Sequence, residues 1–338
     1  KTVLWDDSGR IIAQTAYPYS LSRPSPLWAE IDANIWWQAI CSTSAEVIAK
    51  TGINPRDIAG IGLDGMGWTL IPVDRQAHPL SPAMIWLDRR AEAETQWLNA
   101  LPNAQELVNL AANPIDSAYI TPKLLWLKHH QPEVFDSTYQ FLTASGFITA
   151  RLTGEFTCDY TQAYGYHFFD ISRERWDEAA AAQIGIPLEK MPPLFPCTAI
   201  AGQVTAQAAA ETGLAAGIPV IVGCLDAAVG ALGAGVTRLQ QTNEQGGQAG
   251  GMAVSLDRIV VKPDLIFSHH VLPGQYLLQG GTTGGGSLGW FRDVVMQADP
   301  TAAQVSFEQL SHQVENTAAG AHGVLFIPYM AGERTPLW

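Results

Sequence analysis

Residues 217–236 read GIPVIVGCLDAAVGALGAGV, an apolar stretch that Asp226 interrupts at its middle. A charge at the centre of a bilayer costs about 2.5–3.5 kcal/mol on insertion scales, so no membrane span is predicted. The residues before Asp226 predict a buried strand, and the alanines and glycines after it predict a helix. Open α/β sheets bind ligands where their strands end in this way. Asp226 is therefore a candidate general base towards a substrate hydroxyl, with a helix N-cap as the alternative role.

The segments before this stretch predict a mixed α/β architecture. Two short strands over 2–5 and 11–14, joined by a polar turn, predict a β-hairpin. Two further strands are predicted over 58–63 and 69–73, with a glycine-containing loop over 64–68 between them. Apolar spacing and capping residues predict helices over 32–50, 90–99, 122–130, 146–151, 178–183 and 206–212.

The character of the chain changes after residue 236. Glycines become frequent, and short strands are predicted over 259–261, 270–272 and 276–279. A boundary near 236–242 predicts two domains, residues 1–236 and residues 237–338. The chain begins within a strand and ends soon after a turn-like sequence. We therefore expect the first strand of the first domain to be missing and the second domain to be incomplete.

Composition and charge exclude several classes of protein. Hydrophobic residues make up 47% of the 338 residues and charged residues 15%, which excludes a disordered chain. The formal net charge of −13 repels nucleic acid and anionic membrane surfaces, and no basic patch offsets it. The four cysteines form no C-x-x-C pair, so neither a disulfide framework nor a zinc site is implied. A reducing cytoplasm is the expected location.

Two glycine-rich stretches are candidates for phosphate binding. Residues 246–251 read GGQAGG and residues 280–287 read GGTTGGGS. Glycines allow backbone N–H groups to approach phosphate oxygens closely, and a following helix adds positive potential. Neither stretch matches the established mononucleotide or dinucleotide motifs. Tight turns and bulges are the alternative interpretation.

A competing hydrolase motif lies inside the second glycine stretch. Residues 285–289 read GGSLG and satisfy G-x-S-x-G. In a serine hydrolase, Ser287 would be the nucleophile, with His312 or His322 as the base and Asp299 as the acid. The remaining chain leaves little length for this order of residues, and the preceding glycines suit a phosphate loop better.

Aromatic and polar residues also lie together near two predicted strand ends. The loop 64–68 reads DGMGW, and residues 86–90 read WLDRR. Sugar sites combine an aromatic face with a few placed polar groups, so both segments could line a polyol pocket. The alternatives are a core tryptophan and a surface Asp–Arg pair.

Taken together, these segments resemble the FGGY family of carbohydrate kinases, in particular its xylulokinase-like branch. The resemblance covers nearly the whole chain and lies in motifs that follow one another in the family's order. These motifs are SPLWAE at 25–30 with Asp32 and WW at 36–37, PAMIWLDRR at 82–90, TPKLLWL at 121–127, RLTGE at 151–155 with Asp159, Thr161 and Ala163, and GERTP at 332–336.

The resemblance implies an actin-like pair of ribonuclease-H-type α/β domains, with ATP, Mg²⁺ and a sugar or polyol in the cleft between them. It implies that Asp226 takes the proton of the sugar hydroxyl and contacts Mg²⁺ through water. The implied sugar-binding residues are Met66, Gly67, Trp68, Trp86 and Asp88. The implied nucleotide-binding residues are Gly246, Gly247, Gln248, Thr283, Gly285, Gly286 and Ser287. A homodimer is compatible with the resemblance.

Three departures from the family pattern bear on substrate and activity. The family's opening phosphate loop, D-x-G-T-x(3)-K, is absent, and residues 246–249 read GGQA where G-T-S-G is usual. Trp68 and Gly67 stand where xylulokinases carry a His and a Met. A ketopentose such as xylulose is the expected substrate, with other ketoses or sugar alcohols open. A catalytically inactive sugar-binding module is the alternative to an active kinase.

Overall fold

The structure is a computed structural model that describes residues 1–246, 250–282, 284–298, 305–327 and 335. Its strands before residue 236 are β1 (Thr2–Trp5), β2 (Ile11–Thr15), β3 (Glu30–Ile31), β4 (Asp64–Gly65), β5 (Ile71–Val73), β6 (Ala83–Met84), β7 (Gln140–Leu142), β8 (Cys158–Asp159), β9 (Phe169–Asp170), β10 (Arg175–Trp176), β11 (Leu194–Phe195), β12 (Ile200–Gln203), β13 (Pro219–Ile221) and β14 (Cys224–Leu225).

Ten α-helices are described in the same part of the chain. They are α1 (Ala33–Thr51), α2 (Glu92–Asn99), α3 (Ala104–Ala111), α4 (Ile120–His130), α5 (Pro132–Ser137), α6 (Ala144–Thr153), α7 (Tyr160–Ala163), α8 (Glu178–Gln183), α9 (Ala206–Thr212) and α10 (Asp226–Gly233). None of the described helices pairs bilayer-spanning length with a sufficiently apolar composition.

Four antiparallel strands and two helices follow residue 236. They are β15 (Thr242–Gly246), β16 (Gly250–Leu256), β17 (Ile266–His269), β18 (Tyr276–Thr282), α11 (Gly285–Ala298) and α12 (Phe307–Glu315). The strand order in this sheet is β15-β16-β18-β17. The division of the chain into domains at residue 236 stays a prediction.

Local signals place most elements where the sequence predicts them. The hairpin forms as antiparallel β1 and β2. Helix α1 begins after Asp32, whose side chain accepts from the Asn34 N–H, and ends at Gly52 in the left-handed conformation. Helices α8 and α9 have the predicted bounds.

The predicted strand over 58–63 is wrong as a continuous strand. Only Ile61 makes a parallel bridge, to Val220, and regular pairing begins at β4, which lies parallel to β14. Gly223 interrupts the partner strand because its φ of 94° lies outside the extended region. The interruption leaves two short ladders, and the second of them ends at Leu225, directly before Asp226.

The strands predicted over 259–261 and 270–272 are also wrong, since the structure forms β17 between them. Residues 259–261 pack apolar side chains against the core without strand pairing. At the edge of the sheet, both backbone groups of Phe267 in β17 are bound by the Asn113 side chain, at 2.7 and 2.9 Å. A side chain from the first half of the chain therefore occupies this part of the sheet edge.

The two glycine stretches form strand ends and a helix start rather than free loops. Gly246 ends β15, residues 250–251 begin β16, and residues 280–282 end β18. Residues 285–287 form the first turn of α11. The larger hydrophobic cluster contains residues from before and after residue 236. The four-stranded sheet therefore packs against the first half of the chain.

Candidate functional site

A cleft of about 360 Å³ lies between the strand ends of the first half and the four-stranded sheet. One wall comes from residues before 236: Gly67, Trp68, Trp86, Tyr164, Leu225, Asp226 and Ala227. The facing wall comes from the sheet: Gln245, Gly250, Gly251, Met252, Ile266, Gln279, Gly280 and Gly281. The first wall offers aromatic faces and a carboxylate, and the second offers mostly backbone.

Asp226 is the acidic residue on the cleft wall, and it is the first residue of α10. Its side chain is exposed, and its Oδ1 accepts a hydrogen bond from the Ala227 N–H at 2.7 Å. The N-cap position belongs to Leu225, so Asp226 is not the N-cap residue itself. A helix N-terminus favours the ionised carboxylate. An exposed, ionised carboxylate at this position can accept a proton from a bound hydroxyl.

Trp68 contributes to both the hydrophobic core and the cleft wall. Only 2% of its surface is exposed, and its φ of 53° is unusual for a residue with a bulky side chain. Its ring lies 4.3 Å from the Tyr119 ring and 5.9 Å from the Tyr164 ring, centroid to centroid. This packing stabilises a backbone conformation that places Trp68 at the cleft.

Lys123 fixes the backbone of both tryptophan-bearing segments. Its buried Nζ donates to the carbonyl oxygens of Trp68 at 2.8 Å, Ile85 at 2.7 Å and Ala118 at 2.7 Å. Three acceptors match the three N–H groups of an ammonium. Burial lowers the pKa of Lys123 to about 7. Because Ile85 precedes Trp86, one side chain holds both aromatic parts of the wall in place.

Gly67 is the position where a side chain would collide with the wall. A Cβ on Gly67 would lie 2.8 Å from Leu225 Cδ1 and 3.3 Å from Tyr164 Oη. A larger residue here would therefore have to displace Leu225, the neighbour of Asp226. The structure thus links the size of residue 67 to the position of the candidate base.

Two of the residues expected to bind sugar do not line the cleft. Met66 is half-buried and packs against the core cluster around α1. Asp88 is fully buried, where it accepts from the Ala29 N–H at 2.6 Å and from Arg90 at 2.7 Å. These contacts use the carboxylate inside the protein, so the alternative of a surface Asp–Arg pair is wrong. The contact of Asp88 with a sugar stays a prediction.

The glycine wall brings bare backbone to the cleft. A Cβ on Gly251 would lie 2.7 Å from the Gly280 carbonyl oxygen, so this crossing requires glycine. The Thr335 hydroxyl accepts from the Gly281 N–H at 2.6 Å, and the same hydroxyl donates to the Gly281 carbonyl at 2.7 Å. A Cβ on Gly250 would lie 3.4 Å from Gly284 Cα, next to the start of α11. Backbone and a helix N-terminus together suit a phosphate group.

The roles of the individual residues expected at the nucleotide stay predictions. Gly246, Gly285, Gly286 and Ser287 do not line the cleft, although their neighbours in the same two stretches do. Gly247, Gln248 and Thr283 lie outside the described residues. The four glycines that do line the cleft sit on paired strands, and their register cannot be predicted from glycine content alone.

Sequence reasoning did not single out several residues of the cleft. Tyr164, Gln245, Met252, Ile266 and Gln279 line it without belonging to any recognised motif. Gln245 and Gln279 lie in strands whose ends meet at the cleft. For Gln245 and Gln279, the signal in the sequence was that each directly precedes a glycine-rich stretch.

Within the described ranges, no cluster of three or more His, Cys, Asp or Glu residues could hold a metal ion. Mg²⁺ is bound in proteins through one or two carboxylates, substrate phosphates and water. Asp226 is the one carboxylate among the described residues that line the cleft, and it would be the protein ligand available to such an ion.

The hydrolase arrangement gains no support from the geometry. Ser287 is buried in the first turn of α11. The His312 imidazole contacts Glu315 on its own helix at 3.1 Å, and His322 lies in a separate turn. Asp299 lies outside the described residues.

A helix-borne acid, an aromatic wall and a glycine-containing wall surround one cleft of an α/β protein, as expected of a small-molecule site. Residues 1–233 match the model of the N-terminal domain of the FGGY family of carbohydrate kinases. The chain belongs to this family, and its actin-like α/β fold class is confirmed.

Three relatives illustrate the similarity. The xylulose kinase of Bacillus subtilis is 30% identical over 340 residues, covering 99% of this chain and 66% of that protein. The gluconokinase of Bacillus licheniformis is 25% identical, covering 100% of this chain and 67% of its own length. The crystal structure of xylulose kinase from Rhodospirillum rubrum superposes with a TM-score of 0.86 and 30% identity, covering 99% and 68% of the two chains. The chain spans about two thirds of the length of these relatives.

Proposed function

We propose that this chain carries the sugar-binding and catalytic part of a kinase that transfers the γ-phosphoryl group of ATP to a sugar or polyol hydroxyl. The observation that carries the proposal is the position of the exposed Asp226 carboxylate in a cleft whose other wall contains four glycines of the two glycine-rich stretches. A base on one side and phosphate-compatible backbone on the other are the two parts that phosphoryl transfer to an alcohol requires.

In the proposed mechanism, Asp226 accepts the proton of the sugar hydroxyl. The hydroxyl oxygen forms its new bond to the γ-phosphorus, the bond from that phosphorus to the β–γ bridging oxygen breaks, and ADP leaves. Magnesium would be supplied with ATP as part of the substrate and would neutralise phosphate charge, and Asp226 is the residue that would hold it, through water. Positioning and electrostatic stabilisation supply most of the rate enhancement in such reactions.

The nucleotide side of the proposal rests on the glycine wall and the start of α11. Gly250, Gly251, Gly280 and Gly281 carry no side chains, so this part of the wall leaves room for phosphate groups next to the backbone. The N–H groups at the start of α11 would bind phosphate oxygens, and ionised side chains are not needed for that role.

A ketopentose such as xylulose is the proposed substrate class. Relatives of both the xylulose kinase and the gluconokinase type match the chain at similar coverage. Trp68 replaces a side chain that can both donate and accept hydrogen bonds with one that only donates. The wall should therefore select sugars by shape more than by hydroxyl pattern. We propose a small molecule as the partner, in a cytoplasmic enzyme that forms a homodimer.

The test of the proposal is an assay of sugar-dependent ADP release by the full-length gene product. A panel should include D-xylulose, other ketoses, gluconate and sugar alcohols, with a no-sugar control. The proposal expects release with at least one sugar. Sugar binding without ADP release would instead support an inactive sugar-binding module.

The same sample distinguishes the hydrolase alternative. A fluorophosphonate probe labels an activated serine nucleophile. We expect no labelling at Ser287, and a labelled Ser287 together with absent kinase activity would replace the proposal with the hydrolase.

A further inference from the structure

The four-residue helix α7 and the residue before it place a set of buried polar side chains between two strand ends. Asp159, Thr161 and Gln162 are each no more than 1% exposed. We refer to these three residues as the α7 bracket. Asp159 caps α7 by accepting from the Gln162 N–H at 3.0 Å. Neither the cleft nor the proposed mechanism uses these side chains directly.

Thr161 connects the bracket to the residue before the candidate base. Its Oγ1 accepts from the Leu225 N–H at 2.8 Å, and its hydroxyl proton is donated to Asp159 Oδ1. Leu225 ends β14 and is the N-cap residue of α10, so the next residue is Asp226. The Thr161 hydroxyl therefore fixes the Cys224–Leu225 peptide, one residue before Asp226.

Gln162 connects the same bracket to the sugar-side loop. Its Nε2 donates to the Gly65 carbonyl oxygen at 3.1 Å. Gly65 ends β4, pairs in register with Leu225, and lies two residues before Gly67. One turn of helix thus holds both strand ends from which the two parts of the cleft wall emerge.

The bracket keeps polar atoms buried without full hydrogen bonding. Within the described residues, Asp159 Oδ2 and Gln162 Oε1 are buried and have no hydrogen-bond partner. Each such atom lowers the stability of the folded state compared with a hydrogen-bonded one. Apolar side chains of similar size would avoid this cost, so the bracket is not explained by stability alone.

We infer that the α7 bracket is a positioning unit for phosphoryl transfer. Thr161 holds Asp226 at the distance needed for proton removal, and Gln162 holds the loop that begins at Met66 against the sugar. The inference rests on the proposed function, because it gives these residues a role in that reaction. It assigns none of them a contact with the substrate.

The test compares Thr161→Val with a matched control, Thr149→Val. Thr149 is also fully buried, and its hydroxyl donates to the Val222 carbonyl oxygen at 3.0 Å, in the same segment but away from Asp226. Both substitutions replace a hydroxyl by a methyl group of similar size. Displacement of a reacting group by 1 Å can cost about 10²-fold in rate.

We expect Thr161→Val to lower kcat for sugar phosphorylation about 10- to 100-fold, with the sugar KM changed by less than about threefold. Thr161→Ser should restore kcat to within about threefold of the wild type, because it keeps the hydroxyl. Thr149→Val should keep the wild-type kcat. Gln162→Met should raise the sugar KM by about fivefold or more with a smaller effect on kcat.

Thermal unfolding of all variants separates misfolding from mispositioning. If Thr161→Val does not fold, the Thr161→Ser and Gln162→Met variants still decide the inference through kcat and KM. Equal kcat values for Thr161→Val and Thr149→Val would overturn the inference while leaving the proposed function intact. No ADP release by the wild type with any sugar would overturn the proposed function first.

Discussion

Asp159 is a carboxyl group whose burial should be visible in the pH dependence of stability. Burial raises the pKa of Asp159 to about 7, and the hydrogen bonds from Thr161 and from the Gln162 N–H oppose this effect. The unfolded chain releases this proton near pH 4, whereas the folded protein retains it up to about pH 7. The folded state therefore binds more protons in this interval, and its stability falls as pH rises through it.

The prediction is measured by urea unfolding of the wild type and Asp159→Asn between pH 4.5 and 7.5. One pKa unit corresponds to about 1.4 kcal/mol, so the wild type should lose about 2 to 4 kcal/mol relative to the variant across this range. The difference in free energy of unfolding between the wild type and Asp159→Asn should be constant above about pH 7.5. If the free energies of unfolding of the two proteins changed with pH in parallel, Asp159 would have the same pKa in the folded protein as in the unfolded chain.

Trp68 is the residue expected to control which sugar is accepted. It lines the cleft and packs against the Tyr119 ring at an interplanar angle of 35°, and its indole can donate a hydrogen bond but cannot accept one. Trp68→His should raise the kcat/KM ratio for D-xylulose over other sugars by about tenfold, since one well-placed hydrogen bond to a substrate is worth about that much.

Trp97→His is the matched control, because Trp97 is exposed outside the cleft. Its sugar preferences should equal those of the wild type. Identical kcat/KM ratios for wild type and Trp68→His across the sugar panel would mean that the loop containing Trp68 does not contact the sugar.

Individual residues differ in how far the sequence alone could predict their roles. Asp226 was predictable because the strand, the acid and the helix follow one another within ten residues. The position of Asp88 was not, since its carboxylate binds the Ala29 N–H, 59 residues away, and pairs with Arg90. Local sequence does not reveal whether a charged side chain turns inward to a partner or outward to a ligand.

At the scale of elements, helices with clear caps were predicted well and short strands were not. Helices α8 and α9 have an Asp or Thr N-cap that accepts from the backbone, a signal contained in a few residues. Residues 259–261 have strong strand propensity but pack against the core as irregular chain. Strand formation depends on a partner, and a propensity does not supply one.

The edge of β17 provides a test at this scale. The Asn113 side chain binds both backbone groups of Phe267 and accepts from the Tyr119 hydroxyl at 3.0 Å. Loss of these hydrogen bonds should make local opening of the sheet edge easier. A change of about 1.4 kcal/mol in the free energy of opening corresponds to a tenfold change in the exchange rate. Asn113→Ala should speed amide hydrogen exchange at Phe267 about tenfold or more.

Asn99→Ala serves as the control for the edge, since Asn99 makes one bond, to the Ile115 carbonyl oxygen at 3.2 Å. It should leave exchange at Phe267 unchanged. An unchanged Phe267 rate in Asn113→Ala would show that the sheet edge does not depend on this side chain.

At the scale of the whole molecule, the cleft joins residues that are far apart in the chain. Its walls extend from Gly67 to Gly281, and the two sides come from sheets of different topology. Local periodicity predicts the strand ends but not which ends meet. The family resemblance supplied that arrangement, and the geometry then showed which of the expected residues line the cleft and which, such as Met66 and Gly246, do not.

The most direct test of the account is the activity of Asp226→Ala beside Asp257→Ala, an exposed acid after β16. Both variants and the wild type are assayed for sugar-dependent ADP release, and sugar binding is followed by calorimetry. Loss of a general base typically lowers a rate by about 10²- to 10⁴-fold. We predict a loss of this size in Asp226→Ala with sugar binding retained, and wild-type activity in Asp257→Ala. Phosphoryl transfer by Asp226→Ala at nearly the wild-type rate would contradict the account.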